Sequence, residues 1–180
     1  DTVTFPAAIY AEKPLNIVLA EVANITVNGG SGSGDYAYGI YTYAGSAHLT
    51  IGGKGKLTVK MDSDKSASAA ICSWSTSDRN VYGITISDSA DVTAEGGAYG
   101  LYSYQKGAGW IQITHSAGLK ASGTTKAVHV IDFQENHIYG GARSFVGTVD
   151  GGAWDIDDVM SAKSVSIEPA VFEQWTSPAI

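Results

Sequence analysis

The chain is short of charge, of cysteine and of long apolar runs, and each shortage excludes something. Only 16% of its 180 residues are charged, against about 25% in ordinary soluble domains. The 11 basic residues are outnumbered by 18 acidic ones and are scattered. A nucleic-acid surface is therefore excluded, because phosphate binding needs clustered Lys and Arg. A single Cys allows no internal disulfide and no Cys cluster for zinc. No stretch approaches the roughly 18 apolar residues of a membrane-spanning helix. Heptads of Leu, Glu and Lys are missing, which excludes a coiled coil. Gly has no three-residue period, which excludes collagen. The net charge of −7 is small beside a hydrophobic content of 44%, so the chain can bury a core and is not disordered. Its length fits one domain.

What is present is Gly, Ser, Thr and Tyr, arranged in a repeat disguised by uneven spacing. Ile17-Val18-Leu19 is followed by Ile25-Thr26-Val27, and Leu49-Thr50-Ile51 by Leu57-Thr58-Val59. Ile84-Thr85-Ile86 is followed by Val92-Thr93-Ala94, and Ile111-Gln112-Ile113 by Leu119-Lys120-Ala121. In all four copies the second segment starts six positions after the first ends. A third segment precedes each pair: Ala8-Ile9-Tyr10, Gly39-Ile40-Tyr41, Ala70-Ile71-Cys72 and Gly100-Leu101-Tyr102. Ala127-Val128-His129 opens a fifth copy, continued by Ile138-Tyr139-Gly140 and a degraded Val146-Gly147-Thr148. The extra residues of the longer copies fall in turns such as Asn28 to Asp35 and Trp74 to Asn80.

Each segment has the two-residue period of a strand, with apolar flanks and a polar middle. A three-residue strand buries little alone. Stacking like strands of successive copies into parallel sheets gives one continuous apolar interior, which is the logic of a solenoid. The sequence thus predicts an all-β parallel β-helix with three short strands per coil and five to six coils. At about 4.8 Å per coil the rod is about 29 Å long. Regular coils are expected over residues 7–149 and an irregular C-terminal cap over 150–180, the whole forming a single domain. In the cap, Val165-Ser166-Ile167 reads as a further strand. Glu168 to Trp175 reads as one helical turn with Pro169 at its start, and Phe172 and Trp175 are expected to cover the open end. An antiparallel sandwich also has short strands and turns, but it does not require a constant six-residue offset.

The strings Ala7-Ala8-Ile9-Tyr10, Leu15-Asn16-Ile17-Val18-Leu19 and Tyr38-Gly39-Ile40-Tyr41 carry a resemblance, as does His48 to Val59. Over residues 7 to 121 the chain resembles the β-helical "carbohydrate-binding domain-containing" surface proteins of clostridia and related Firmicutes. The resemblance implies a right-handed, pectate-lyase-like coil, and a role in binding acidic polysaccharide, in some members with calcium. That family's third-strand motif carries acidic residues before Gly-Ile. Here those positions are Tyr38, Ala69 and Tyr99, so its calcium sites are not carried over to this face.

The third segment supplies the candidate binding surface. With Ile40, Ile71 and Leu101 facing in, Tyr41, Cys72 and Tyr102 face out, and so do Tyr43, Trp74 and Tyr104. Stacking aligns them in two columns. Exposed rings suit the apolar faces of pyranoses, with Ser73, Ser103, Gln105 and Lys106 nearby as polar partners. The competing reading is an aromatic ladder that only stabilises the stack, or a patch covered by another domain. Cys72 reads as a small filler. Asp155, Asp157 and Asp158, with Asp150 nearby, form the densest acidic run and the candidate calcium site, against the alternative of a solvated capping loop. Asp62, Asp64, Asp88 and Asp91 read as solvated turn residues.

Three look-alike motifs fail on context. Gly29 to Asp35 approaches a calcium-binding nonapeptide but never repeats. Gly32 to Ala37 and Gly53 to Lys56 lack the helix that phosphate-binding loops require. For a lyase, only Arg79 and Arg143 are available as arginine bases, and neither lies beside an acid pair. His48, His115, His129 and His137 are scattered. The expectation is a non-catalytic module that binds polysaccharide or a host or cell-wall glycan. The alternatives are a structural stalk or adhesin module and, behind it, a polysaccharide lyase. The chain opens on the strand-like Asp1-Thr2-Val3-Thr4-Phe5. With its composition, this suggests a segment of a longer protein at the surface of, or secreted by, a bacterium.

Overall fold

The computed structural model describes residues 7–29, 36–45, 47–62, 64–76, 81–105, 109–131, 138–139 and 144–170. Among them there is no helix. The first coil consists of β1 (Ala7–Ala11), β2 (Leu15–Leu19) and β3 (Asn24–Asn28). The second consists of β4 (Tyr36–Ala44), β5 (Leu49–Gly53) and β6 (Lys56–Lys60). β7 (Ala67–Ser75), β8 (Val81–Ile86) and β9 (Asp91–Glu95) make the third, and β10 (Tyr99–Gln105), β11 (Gly109–Ile113) and β12 (Gly118–Ser122) the fourth. β13 (Lys126–Ile131) and β14 (Ile138–Tyr139) begin a fifth.

Like strands stack into three sheets, in the orders β1-β4-β7-β10-β13, β2-β5-β8-β11-β14 and β3-β6-β9-β12. Every pairing among these strands is parallel. The chain is a parallel β-solenoid, as the repeat predicts. From the second coil on, the register is that of the sequence alignment, with Ile51 facing Ile86 and Ile86 facing Ile113. The first copy is shifted by two, so that Ile17 rather than Leu19 faces Ile51, and Leu19 faces Gly53. On the next sheet Ile25, Leu57, Val92 and Leu119 form one row.

From the second coil to the fourth the offset of six has a backbone cause; the first coil has two more residues at this corner, since Ile17 rather than Leu19 faces Ile51. Ala90 N donates to Ser87 O at 3.2 Å and Ala117 N to Thr114 O at 3.2 Å, closing the same tight corner in successive coils. Gly53, Asp88 and His115 occupy the equivalent corner position at φ 96°, 60° and 54°. That left-handed conformation is free for Gly and costly for the other two. Corners are also stitched between coils: Ser89 N donates to Gly53 O at 2.9 Å and Ser116 N to Asp88 O at 2.7 Å. Asp88 is more than a solvated turn residue, because its Oδ2 accepts from Gly53 N at 2.9 Å.

The interior is a line of apolar rungs. Ile40, Leu49, Ile51, Ile71, Ile84 and Ile86 are all wholly buried, as are their successors Leu101, Ile111, Ile113 and Leu119. On the outer face of the third sheet, Lys60 pairs with Glu95 at 2.9 Å and Lys56 with Asp91 at 3.7 Å, linking the second coil to the third.

The regular stack ends differently from the simple continuation of the repeat. Val165-Ser166-Ile167 lies in a strand, β17 (Ser164–Ile167), but it joins β12 antiparallel. It thereby takes the place expected for Val146-Gly147-Thr148. Those residues run into β15 (Gly147–Val149), which pairs antiparallel with β17 and with β16 (Gly152–Ala153). Asp150 and Gly151 form the two-residue turn between β15 and β16, at φ 48° and 76°, as such hairpins require. Residues 154–162 then cross the end of the core, burying Val159 and Ala162 to 1% exposure, with Trp154, Ile156 and Met160 packed beside them. Phe145 meets Trp154 with ring centroids 5.4 Å apart. Phe172 and Trp175 lie outside the described residues.

Candidate functional site: an aromatic sheet face

The outer face of the β1-β4-β7-β10-β13 sheet carries a second apolar cluster, separate from the core: Tyr38, Ala69, Cys72 and Tyr102, flanked by Tyr41, Trp74, Tyr99 and Tyr104. A corner inside these strands creates it. Ala70 and Ile71 both join the interior, as do Ala127 and Val128. At Gly39 a Cβ would run into the Val59 side chain and the Ala70 carbonyl oxygen. Two consecutive inward positions break the two-residue period. Only Gly or Ala fits the first of them, which accounts for Tyr-Gly-Ile-Tyr, Ala-Ala-Ile-Cys and Tyr-Gly-Leu-Tyr. Because of the break, the residues before and after each pair share the outer face.

The five ring positions singled out from the sequence, Tyr41, Tyr43, Trp74, Tyr102 and Tyr104, are therefore on one face, together with Tyr10 and His129 in the same row as Tyr41 and Tyr102 and with three rings that a strict alternation misses: Tyr36, Tyr38 and Tyr99. The register arranges them in rows. Tyr38, Ala69 and Tyr99 form one; Tyr10, Tyr41, Cys72, Tyr102 and His129 the next; Tyr43, Trp74 and Tyr104 the third. In the third coil, Ala69 and Cys72 leave room that the larger rings fill. Tyr38 stacks on Tyr41 at 4.5 Å, Tyr99 on His129 at 4.7 Å, and Trp74 on Tyr104 at 4.3 Å with 23° between planes. Such offset contacts add about 0.5–1.5 kcal/mol each beyond burial.

Exposure differs by row. Tyr38 is 2% exposed and Tyr102 8%, whereas Tyr43 is 42% exposed and Trp74 and Tyr104 are half-buried. The open parts of the face are thus its third row with the adjacent Tyr41 and, on the other side, Tyr36 at 49% exposure. Burial pushes the hydroxyls of Tyr38, Tyr41 and Tyr102 well above the usual phenol range, with the neighbouring Cys72 adding to the effect. Burial likewise raises the Cys72 thiol far above its ordinary range, and a hydrogen bond with Tyr38 opposes this. A thiol so held is protonated and inert at neutral pH. His129 is shifted the other way, lowered first by burial and then by the Lys126 charge.

Ser73 and Ser103 are not partners for a bound sugar. They point into the solenoid beside Thr42 and are wholly buried. Among the described residues their hydroxyls have no hydrogen-bond partner. The side chains of Gln105 and Lys106 lie outside the described residues.

The acidic run does not assemble a donor set. Asp155, Asp157 and Asp158 are exposed in the capping loop. Asp155 Oδ1 accepts from Asp157 N at 3.0 Å, within the loop itself. Asp150 is turned to a structural use: its Oδ1 accepts from Lys163 N at 2.9 Å and Ser164 N at 2.8 Å. Among the described residues no three His, Cys, Asp or Glu side chains converge as a metal would need. A separate shallow groove of about 230 Å³ lies on the third sheet, lined by Thr93, Glu95, Lys120, Ser122, Thr148 and Ser166 among others.

The fold and this face define the class: a parallel β-solenoid bearing an aromatic sheet face. Comparison with known protein families, curated proteins and solved structures found no match.

Proposed function

We propose that this solenoid is a non-catalytic module of a secreted or wall-attached bacterial protein, and that it binds polysaccharide along its aromatic face. The observation that carries the reading is the third row, Tyr43, Trp74 and Tyr104. Its rings are partly open to solvent and lie at the coil spacing, and the Trp74–Tyr104 pair is fixed by stacking. A rigid, partly exposed Trp–Tyr platform offers apolar area at little entropic cost. The apolar C–H face of a pyranose is its natural counterpart.

A second reading is favoured by the inner rows. There the rings spend their faces on one another and on Cys72, with Tyr38 and Tyr102 nearly buried, which suits a spacer or adhesin stalk whose aromatic ladder stiffens the rod. One experiment separates the two. The purified chain is passed over a panel of insoluble and immobilised plant, host and cell-wall polysaccharides, with and without calcium. Retention that falls at least tenfold in Trp74→Ala/Tyr104→Ala, with a melting temperature near the parent's, is the expected result. No retention on any member favours the stalk. New unsaturated ends absorbing in the ultraviolet would instead indicate a lyase.

A further inference from the structure

The outer face of the third sheet follows a charge rule that changes at β12. Lys56 and Lys60 of β6 lie directly opposite Asp91 and Glu95 of β9, and each pair is closed, at 3.7 Å and 2.9 Å. Lys120 is the next lysine on this face, and it is exposed. The positions directly opposite it are Thr93 on β9 and Ser166 on β17. Among the described residues no carboxylate forms an ion pair with its ammonium group. Hydroxyls stand where the face elsewhere places the counter-charge.

The antiparallel entry of β17 and β15 extends that pattern. It brings Ser166 and Thr148 into the row begun by Thr93 and Lys120, and sets Ser164 beside Ser122 in a second row. The two rows are two residues apart along the strands, about 7 Å, and bound the groove of about 230 Å³. Between them lie Ala121 and Val165, whose side chains turn into the core. Ser164 Oγ is committed to Asp150 Oδ1 at 3.3 Å. The hydroxyls of Thr93, Ser122, Thr148 and Ser166 have no hydrogen-bond partner among the described residues. Glu95 stands at one end of the groove, with its charge met by Lys60.

We propose that this groove binds a tetrahedral oxyanion carried as an ester, a sulfate or phosphate monoester. Lys120 supplies a point charge, which suits such a group. The free hydroxyls donate from both rows. A tetrahedral group directs three peripheral oxygens apart and can engage Lys120 and Ser166 on one side and Ser122 on the other. A planar carboxylate offers two oxygens in one plane and meets one row. The groove has room for about seven waters at about 30 Å³ each, more than a bare five-atom ion displaces, so part of the carrier molecule enters with it. The site lies on a different sheet from the aromatic face, and it stands whether or not that face binds polysaccharide.

Amide chemical shifts of the whole chain, followed by NMR during titration with inorganic sulfate, inorganic phosphate and acetate, test this, with chloride holding the ionic strength constant. Sulfate and phosphate are expected to move the amides of Lys120, Ser122 and Ser166 saturably, with a Kd of about 1–10 mM, and acetate to bind at least about fivefold more weakly. Lys120→Gln is expected to weaken both tetrahedral ions at least about fivefold, whereas Lys120→Arg, which keeps the charge, stays within about threefold of the parent. Lys13→Gln, at an exposed site outside this sheet, is expected to bind like the parent. A hexose sulfate and a hexose phosphate ester are then compared, and the tighter of the two names the carrier. Shifts that stay linear to about 50 mM, acetate binding as well as sulfate, or a Lys120→Gln chain that binds like the parent would each overturn the proposal.

Discussion

At the scale of single residues, the aromatic face is governed by what its small members allow. Cys72 sits in a row otherwise made of Tyr and His, and a fifth ring there would have to displace Tyr38 and Tyr102. His129 closes that row, stacked on Tyr99 and tilted against Tyr102 at 5.1 Å. Its Nδ1 has no hydrogen-bond partner among the described residues, so the ring is held by packing in its neutral form. Burial and Lys126 both lower its folded pKa below the usual value near 6.5. The unfolded chain therefore binds the proton first as pH falls. The resulting stability is complete above about pH 6.5 and is lost as pH drops through the lowered folded value. Denaturant midpoints measured between pH 7.5 and 5 should fall on acidification, and more steeply in the parent than in His129→Phe. Parallel curves for the two would show that His129 is not the responsible group.

At the scale of elements, the corner between the second and third sheets sets the repeat. Gly53 holds it in the second coil, where an added Cβ would strike the Leu19 carbonyl oxygen and come within 2.8 Å of Leu19 N. Gly53→Ala combines that clash with a left-handed φ. It should lower stability by about 1–3 kcal/mol, read from chemical denaturation, while an Asn at the same place should cost less in φ strain but still clash. An unchanged midpoint for Gly53→Ala would mean the corner is not rigid. This corner is what made the fold legible. An identical turn in the second, third and fourth coils forces an identical spacing there, whereas the first coil reaches the same count in a different register, with Leu19 facing Gly53 instead of Ile51. The aromatic face was only half legible, because the corner at Gly39 defeats simple alternation. Counting back by twos from Ile40 puts Tyr38 inside, and the structure puts it outside. Val165-Ser166-Ile167 reads as a strand in either direction, since alternation carries no sense of polarity. Its antiparallel entry beside β12 was therefore invisible. The cue that was available is Asp150-Gly151, a hairpin signal that the surrounding acidic residues disguise as part of a cation site.

At the scale of the whole molecule, stability passes from coil to coil, because each contacts chiefly its neighbours. The rod is then only as secure as its ends. The C-terminal end depends on a loop with no regular structure, whose deepest members are Val159 and Ala162 at 1% exposure. Val159 N donates to Ile156 O at 3.4 Å, and Ala162 N donates to Asp158 O at 3.1 Å, so the loop folds on itself while its apolar side seals the last rung. Ala162 also clamps the sheet below, since its carbonyl accepts from Ala127 N at 2.7 Å. Placing a carboxylate at Val159 buries a charge in the apolar core cluster with no partner to neutralise it. Val159→Asp should cost on the order of 3 kcal/mol, bind a hydrophobic dye below the main thermal transition and lose hydrogen-exchange protection first in β12, β13 and β17. Val159→Ala keeps the seal apolar and should cost less. Val146→Asp, at an exposed site of the same region, should stay within about 0.5 kcal/mol of the parent. If Val159→Asp instead melts like the parent and its exchange remains uniform along the rod, the loop is not the cap. The last coil must then be closed by something else.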